Sequence, residues 1–300
     1  TLYSLLIIAF FLLSSRQIIN YIRLIYIAYV SSNLSRKLRN KIFFAYLNAD
    51  TSFHDNLSTG ELVNVVVTET RAAISGVILP IELVLNFVLL LSYLFVLLAL
   101  SLEMTIAALI VLLIAIYIPK RWVNQTADTG RKVVEANSQL TEFLVERLKS
   151  PRLVRLSGTE DAESHEYFLL TKNQMDKAMI TAKLMGKTSV VLEPIIIGFS
   201  LVFIYVSFSI INMSIEVMGL YLLIILRLTP VTKGIVVLWQ SIQYVLGPIE
   251  TVKQRLVSMH NAVEIDDGTE DFLKFNKNIE LINIEYRHPG ARKIALKGVN

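Results

Sequence analysis

The chain has 300 residues, a formal net charge of +4, and 54% hydrophobic residues. Its mean hydropathy of +0.55 is too high for an ordinary water-soluble domain of this size. It contains no cysteine, which excludes disulfides and thiolate metal sites.

From Thr1 to Thr59 there is neither Gly nor Pro. A helix over residues 1–47 would be roughly 70 Å long at about 1.5 Å per residue, against a hydrocarbon thickness of about 30 Å. The excess must stand out of the bilayer as a stalk. Apolar runs long enough to cross recur around 1–30, 73–100, 102–119, 188–211 and 215–249. The first begins at the start of the chain, without a charged leader or cleavage site, so we expect a further helix before Thr1.

Arg36, Lys37, Arg39 and Lys41 follow the first run, and Lys120 and Arg121 follow the third, whereas the short links Ser101–Glu103 and Asn212–Val217 carry no Lys or Arg. The excess of positive charge on cytoplasmic segments places residues 33–72 and 120–187 inside and the short links outside. The first stalk reaches about Leu47 and reverses through the polar stretch Asn48–Gly60. The third descends past Pro119 into residues 131–149, where Val133, Leu140, Leu144 and Leu148 recur at helical spacing among charges. Ser150-Pro151 breaks that pattern, and the chain rises again after Gly158.

We expect helices over about 1–47, 62–100, 102–149, 159–211 and 215–262 in a membrane domain of residues 1–263. Residues 264–278, with Asp266-Asp267-Gly268, read as a polar linker. From residue 279 the period becomes two. Ile282, Ile284 and Tyr286 alternate with polar neighbours, His288-Pro289-Gly290 turns the strand, and Ile294 and Leu296 return. The expected fold is an all-α polytopic membrane domain with long cytoplasmic extensions, followed by the first strands of a second domain.

Polar residues inside the apolar runs are candidates for function, because a charge in hydrocarbon must be paired or hydrated. Arg16, Asn20 and Arg23 share one face of the first span, and Glu82 and Asn86 share a face of the second. Glu193 precedes Pro194, and Arg227 precedes Pro230, with Lys233, Gln240 and Gln243 further along. Two readings stay open. Arg16, Arg23 and Arg227 line a water-filled cavity for an anionic group, or Arg16 or Arg23 pairs with Glu82 or Glu193 to lock helices together. Gly76, Gly198 and Gly219 read as close-packing points. His54, His165, His260 and His288 show no metal-ligand spacing, so no metal site is expected. The basic run at Arg36–Lys41 is explained by topology and anionic lipid, so no nucleic acid is expected.

The stretch Leu38–Phe43, followed by Ser52-Phe53-His54-Asp55 and Ser58-Thr59-Gly60-Glu61-Leu62, resembles the first cytoplasmic reversal of ABC exporters. The ending Ile279-Glu280 through Pro289-Gly290 and Ala295–Asn300 resembles the first strands of that family's nucleotide-binding domain. The resemblance covers essentially the whole chain. It implies the type-1 exporter transmembrane fold, alternating access driven by ATP and Mg2+, and dimerisation with a second half-transporter. It implies a multi-pass protein of a bacterial inner or plasma membrane, with membrane lipid around it and a lipidic or amphipathic substrate.

The resemblance also implies coupling helices at Ser52–Leu57 and Pro151–Ser157, giving that role to Ser52, Phe53, His54, Asp55, Pro151 and Arg152. Adenine stacking falls to His288, where the family usually has Tyr, and Tyr286 falls to the strand core. The motif G-x-x-x-x-G-K-[ST] does not occur in these residues, so the resemblance places ATP hydrolysis in sequence beyond Asn300. Thr68-Glu69-Thr70 stands where multidrug and lipid A exporters commonly have Asn-Asp. With Arg227-Leu228-Thr229-Pro230, it looks closer to flippases of lipid-linked oligosaccharides and polysaccharide exporters. The competing readings are a multidrug or lipid exporter of the same family, a membrane anchor for a signalling domain, and a secondary transporter.

Overall fold

The computed structural model describes residues 2–211, 214–263, 278–287 and 293–300. Five helical segments in it are long and apolar enough to cross a membrane. The first, α1, runs unbroken over Leu2–Leu47. It reaches a short helix α2 (Thr51–Asn56), and the chain climbs back through α3 (Thr59–Asn64), a π-helical turn at Val65–Glu69, and α4 (Thr70–Leu100). After a corner at Ser101, α5 (Leu102–Tyr117) and α6 (Lys120–Lys149) descend, interrupted at Pro119, which lacks the N–H that a continuous helix would use. A second short helix, α7 (Pro151–Ser157), turns the chain into α8 (Glu160–Val206), and α9 (Ile215–Asn261) descends last.

Local signals explain both cytoplasmic reversals. Asp50 caps α2, its carboxylate accepting from the Phe53 N–H at 2.7 Å and from the Ser52 hydroxyl at 3.0 Å. Ser58 caps α3, accepting from the Glu61 N–H at 3.1 Å. The Ser58-Thr59-Gly60-Glu61 stretch is thus a helix-start signal in its own right. Pro151 opens α7, where a missing N–H costs nothing, and Gly158 closes it at φ 62°, a conformation in which a side chain would be strained.

Two clusters hold the bundle. Within the membrane, Leu97, Ala108, Ala115, Leu192, Tyr221 and Leu228 pack α4, α5, α8 and α9 together. On the cytoplasmic side, Ile42, Val65, Ala73, Val252 and Met259 bind the α1 stalk to α4 and α9. The membrane half of α1 has none of its apolar window buried, so within this chain its side chains face outward.

The stalks approach closely at glycines. A Cβ at Gly60 would lie 2.3 Å from the Cα of Glu142 on α6, and one at Gly130 would lie 2.4 Å from the Tyr244 carbonyl oxygen on α9. Gly76 also packs tightly, against Ile249, as expected. Gly198 and Gly219 do not, having nothing within 4 Å of such a Cβ because they face out of the chain. The α6 stripe differs as well. Val123, Val133, Ala136 and Leu140 are buried, but Leu148 is 75% exposed. At about 100° per residue Leu148 shares the angle of buried Gly130, so its exposure comes from its place in the last turn of α6, where no neighbour covers it among the described residues.

Near the C-terminus, β1 (Ile284–Tyr286) pairs antiparallel with β2 (Leu296–Val299), and the Ala295 N–H donates to the Tyr286 carbonyl at 2.7 Å. Tyr286 is 44% exposed rather than interior, because this hairpin has no second layer over it among the described residues. Residues 264–277 and the turn at His288-Pro289-Gly290 lie outside the described residues.

Candidate functional site

The candidate residues fall into two regions, the polar positions within the membrane and the two cytoplasmic tips. In the membrane, Arg16 and Arg23 are exposed along α1 with Asn20 half-buried between them, and Arg227 is exposed on α9. None of the three arginines has an ion pair or side-chain hydrogen bond among the described residues. Glu193 pairs with Lys233 at 3.3 Å, joining α8 to α9, rather than with Arg16 or Arg23. Glu82 is half-buried and makes no ion pair among the described residues; its backbone carbonyl accepts from the Asn86 amide at 2.9 Å. The Asn86 carbonyl oxygen lies over Gly234, 3.2 Å from where a Cβ would stand, and fills the groove between α4 and α9.

Other polar residues serve packing. The Gln240 amide donates to Thr126 at 2.9 Å, and the Trp122 indole donates to Thr188 at 2.7 Å, while Lys187 lies 4.5 Å from the centroid of the same indole ring. These links tie α6 to α8 and α9. Sequence reasoning passed over Trp122, Thr126 and Thr188 because each looks ordinary on its own and its hydrogen-bond partner lies on another helix, where no single-helix period pairs them. On the outer link, the Ser101 hydroxyl donates to Glu103 at 2.5 Å and holds that carboxyl below the usual carboxylate range.

At the first tip, Phe53 is half-buried in the cytoplasmic cluster and the His54 ring meets Tyr46 edge-on at 4.4 Å. Ser52 is half-buried and Asp55 is exposed. The Asp50 N–H donates to the Ala262 carbonyl at 2.7 Å, so this tip is tied to the end of α9. Glu61 pairs with Arg255, joining α3 to α9, and Arg131 forms a fork with Glu250 at 2.8 and 2.9 Å, joining α6 to α9.

At the second tip, Arg147 bonds Glu163 at 2.5 Å across the α7 turn, and Lys149 donates to Thr59 at 2.7 Å, linking the two tips. Pro151 and Arg152 are exposed, and α7 has no buried residue. Leu153 and Leu156 are 64% and 86% exposed there, an apolar surface that sequence periodicity did not single out.

Glu69, one residue before α4, is a buried carboxyl 1% exposed, whose Oε1 accepts from the Asn64 amide at 3.1 Å. Glu69→Gln keeps the shape and an acceptor and is expected to change stability by less than about 1 kcal/mol. Glu69→Ala leaves the Asn64 amide buried without its acceptor and is expected to cost about 1–3 kcal/mol. Thermal unfolding of the two variants in detergent checks the ordering.

Five segments able to cross, paired stalks and short helices at their tips define a polytopic integral membrane domain. The chain belongs to the ABC transporter family: residues 1–230 match the ABC transporter transmembrane region.

It is 19% identical over 90% of its length to the heterocyst differentiation ATP-binding protein HepA of Nostoc sp., covering 44% of that protein. It is 23% identical over 95% of its length to an ATP-dependent lipid A-core flippase of Pseudoalteromonas atlantica, covering 49% of it. A flippase of the same name from Methylobacillus flagellatus is 21% identical over 97% of the chain, which covers 49% of that protein. The fold is similar to a bacterial Atm1-family ABC exporter solved with ATP bound, with TM-score 0.71, 14% identity and coverage of 91% of this chain and 48% of the other. The chain spans about half the length of the curated relatives it matches.

Proposed function

We propose that this chain is the membrane and stalk part of an ATP-driven exporter or flippase that moves a lipidic or amphipathic substrate by alternating access. The observation that carries the reading is the pair of tips. The helices α2 and α7 stand at the ends of stalks cross-linked by Glu61–Arg255, Arg131–Glu250 and Lys149–Thr59. A push on such tips is carried along braced helices into the membrane rather than absorbed locally. The exposed Asp55, Arg152, Leu153 and Leu156 offer polar and apolar contacts for a nucleotide-binding domain.

Residues 1–263 act as the transmembrane domain, 264–278 as its linker and 279–300 as the start of the nucleotide-binding domain. ATP and Mg2+ belong to the remainder of that domain, with His288 as the residue of this segment that stacks on adenine. A second half-transporter completes both the cavity and the ATP sites, in a bacterial inner or plasma membrane.

Arg16, Asn20, Arg23 and Arg227 line the substrate path, with Glu82, Asn86 and Glu193 bordering it. Three arginines without an acidic partner among the described residues favour an anionic substrate head. A lipid-linked glycan carried on phosphate has that chemistry, and the flippase names of two relatives point to a lipidic cargo.

The test is ATPase activity and ATP-dependent flipping by the full-length protein in proteoliposomes, with a fluorescent lipid-linked glycan as cargo. Arg227→Ala is expected to bring the ratio of glycolipid-stimulated to basal ATPase activity close to one. An unchanged ratio removes Arg227 from the substrate path, and ATP-independent cargo movement overturns the reading.

A further inference from the structure

At the cytoplasmic border of the membrane, α1 and α4 enclose a cleft of about 530 Å³ lined by Arg36, Arg39, Arg71, Ser31, Ser32 and Ser35, among others. None of its lining residues is acidic. The sequence has no Asp or Glu between Thr1 and Ala49, so α1 brings six cations and no compensating carboxylate. The nearest acidic residue in sequence on the α4 side is Glu69, which is buried and engaged by Asn64.

The three guanidinium groups are in different states. Arg39 is pinned, its Nε and Nη2 donating to the carbonyls of Val66 and Val67 in the π-helical turn at 3.1 and 3.2 Å. Arg36 donates to Asn33 at 3.1 Å, one turn back on its own helix. Arg71 makes no side-chain hydrogen bond or ion pair among the described residues. A pinned cation, two cations with unused donors and three hydroxyls thus converge on a concave space. Guanidinium forks match phosphate oxygens, and the hydroxyls can serve the remaining oxygens or a glycerol.

Depth decides where such a phosphate comes from. On α1 the apolar run ends at Val30 and the cleft begins at Ser31; on α4 the apolar run begins after Arg71. The cleft therefore sits where both helices pass from hydrocarbon to headgroups on the cytoplasmic side. We infer that this cleft binds the phosphate headgroup of an acidic phospholipid from the inner leaflet. A zwitterionic headgroup would bring an ammonium into a site already rich in positive charge, so the site selects acidic lipid over phosphatidylcholine. Basic pockets between spanning helices on the cytoplasmic side are suited to this role. The inference does not depend on which cargo is transported.

The experiment is native mass spectrometry of the full-length protein in micelles doped with equal phosphatidylglycerol and phosphatidylcholine. The wild type is expected to retain phosphatidylglycerol preferentially. Arg36→Gln combined with Arg71→Gln should reduce that preference by roughly 25-fold, at about fivefold per removed charge. Ser35→Asp, which adds a carboxylate to the cleft without removing an arginine, should do likewise. Lys37→Gln, beside the cleft but not lining it, should leave the preference intact. Helical circular dichroism and the melting temperature confirm that each variant is folded.

An undiminished preference in Ser35→Asp and the double variant overturns the site. An equal loss in Lys37→Gln overturns it as well, in favour of diffuse surface charge. Displacement of the lipid by excess inorganic phosphate assigns the cleft to a soluble anion and overturns the lipid reading.

Discussion

Gly60→Val is expected to destabilise the protein by about 3 kcal/mol and to abolish coupling between ATP hydrolysis and transport. A single Cβ at this position would stand 2.3 Å from the Cα and 2.9 Å from the backbone nitrogen of Glu142. The obstructing atoms are main chain within the C-terminal third of α6, so no rotamer change can clear the way. Overpacking commonly costs about 1–3 kcal/mol, and backbone against backbone belongs at the upper end. The α3–α6 contact must open, and it is the contact that joins the first stalk to the second. Thermal unfolding and the ratio of transport to ATP hydrolysis in proteoliposomes measure both effects. Gly60→Ala should fall between wild type and valine, and a valine variant with wild-type melting and coupling would show that the stalks do not touch here.

Exchanging the charges of Glu61 and Arg255 provides the second large effect. The pair joins α3 to α9 with the two side chains 25% and 31% exposed, respectively, so neither charge is fully hydrated. Glu61→Gln or Arg255→Gln alone leaves a partly desolvated charge without its partner, at a cost of about 1–2 kcal/mol, less than a fully buried pair would show. Glu61→Arg alone places two cations together and should cost more. Combining it with Arg255→Glu should recover at least half of that loss, a coupling that a double-mutant cycle by thermal unfolding quantifies. Additive effects would mean that the two side chains do not interact.

Much of the architecture was legible in the residues. The overlong Gly- and Pro-free start, the five apolar runs and the position of Lys and Arg dictate spanning helices with cytoplasmic stalks, because hydrocarbon thickness and helix rise are fixed quantities. The polar stretch Asn48–Gly60 and Ser150-Pro151 with Gly158 marked the tips, since turns and helix ends are local chemistry. Periodicity was less exact. It placed Leu148 among buried residues, although the last turn of α6 has nothing over it among the described residues, and it assigned close packing to Gly198 and Gly219 as well as Gly76, while the tight approaches at Gly60 and Gly130 went unread.

The membrane polar residues show the boundary most clearly. That Glu193 and the arginines need partners or water follows from the cost of a charge in hydrocarbon, and the sequence alone states that need. That Glu193 meets Lys233, that Gln240 meets Thr126, and that Arg16, Arg23 and Arg227 make no such pairing among the described residues depends on how the helices rotate and cross. Those angles arise from side-chain interlocking between segments more than a hundred residues apart, as for Thr126 and Gln240, which no local pattern encodes. The sequence by itself determined how many helices cross, which way they point and where they turn. Only the tertiary structure decided which polar groups neutralise one another, which glycines bring the stalks together, and which arginines make no ion pair among the described residues.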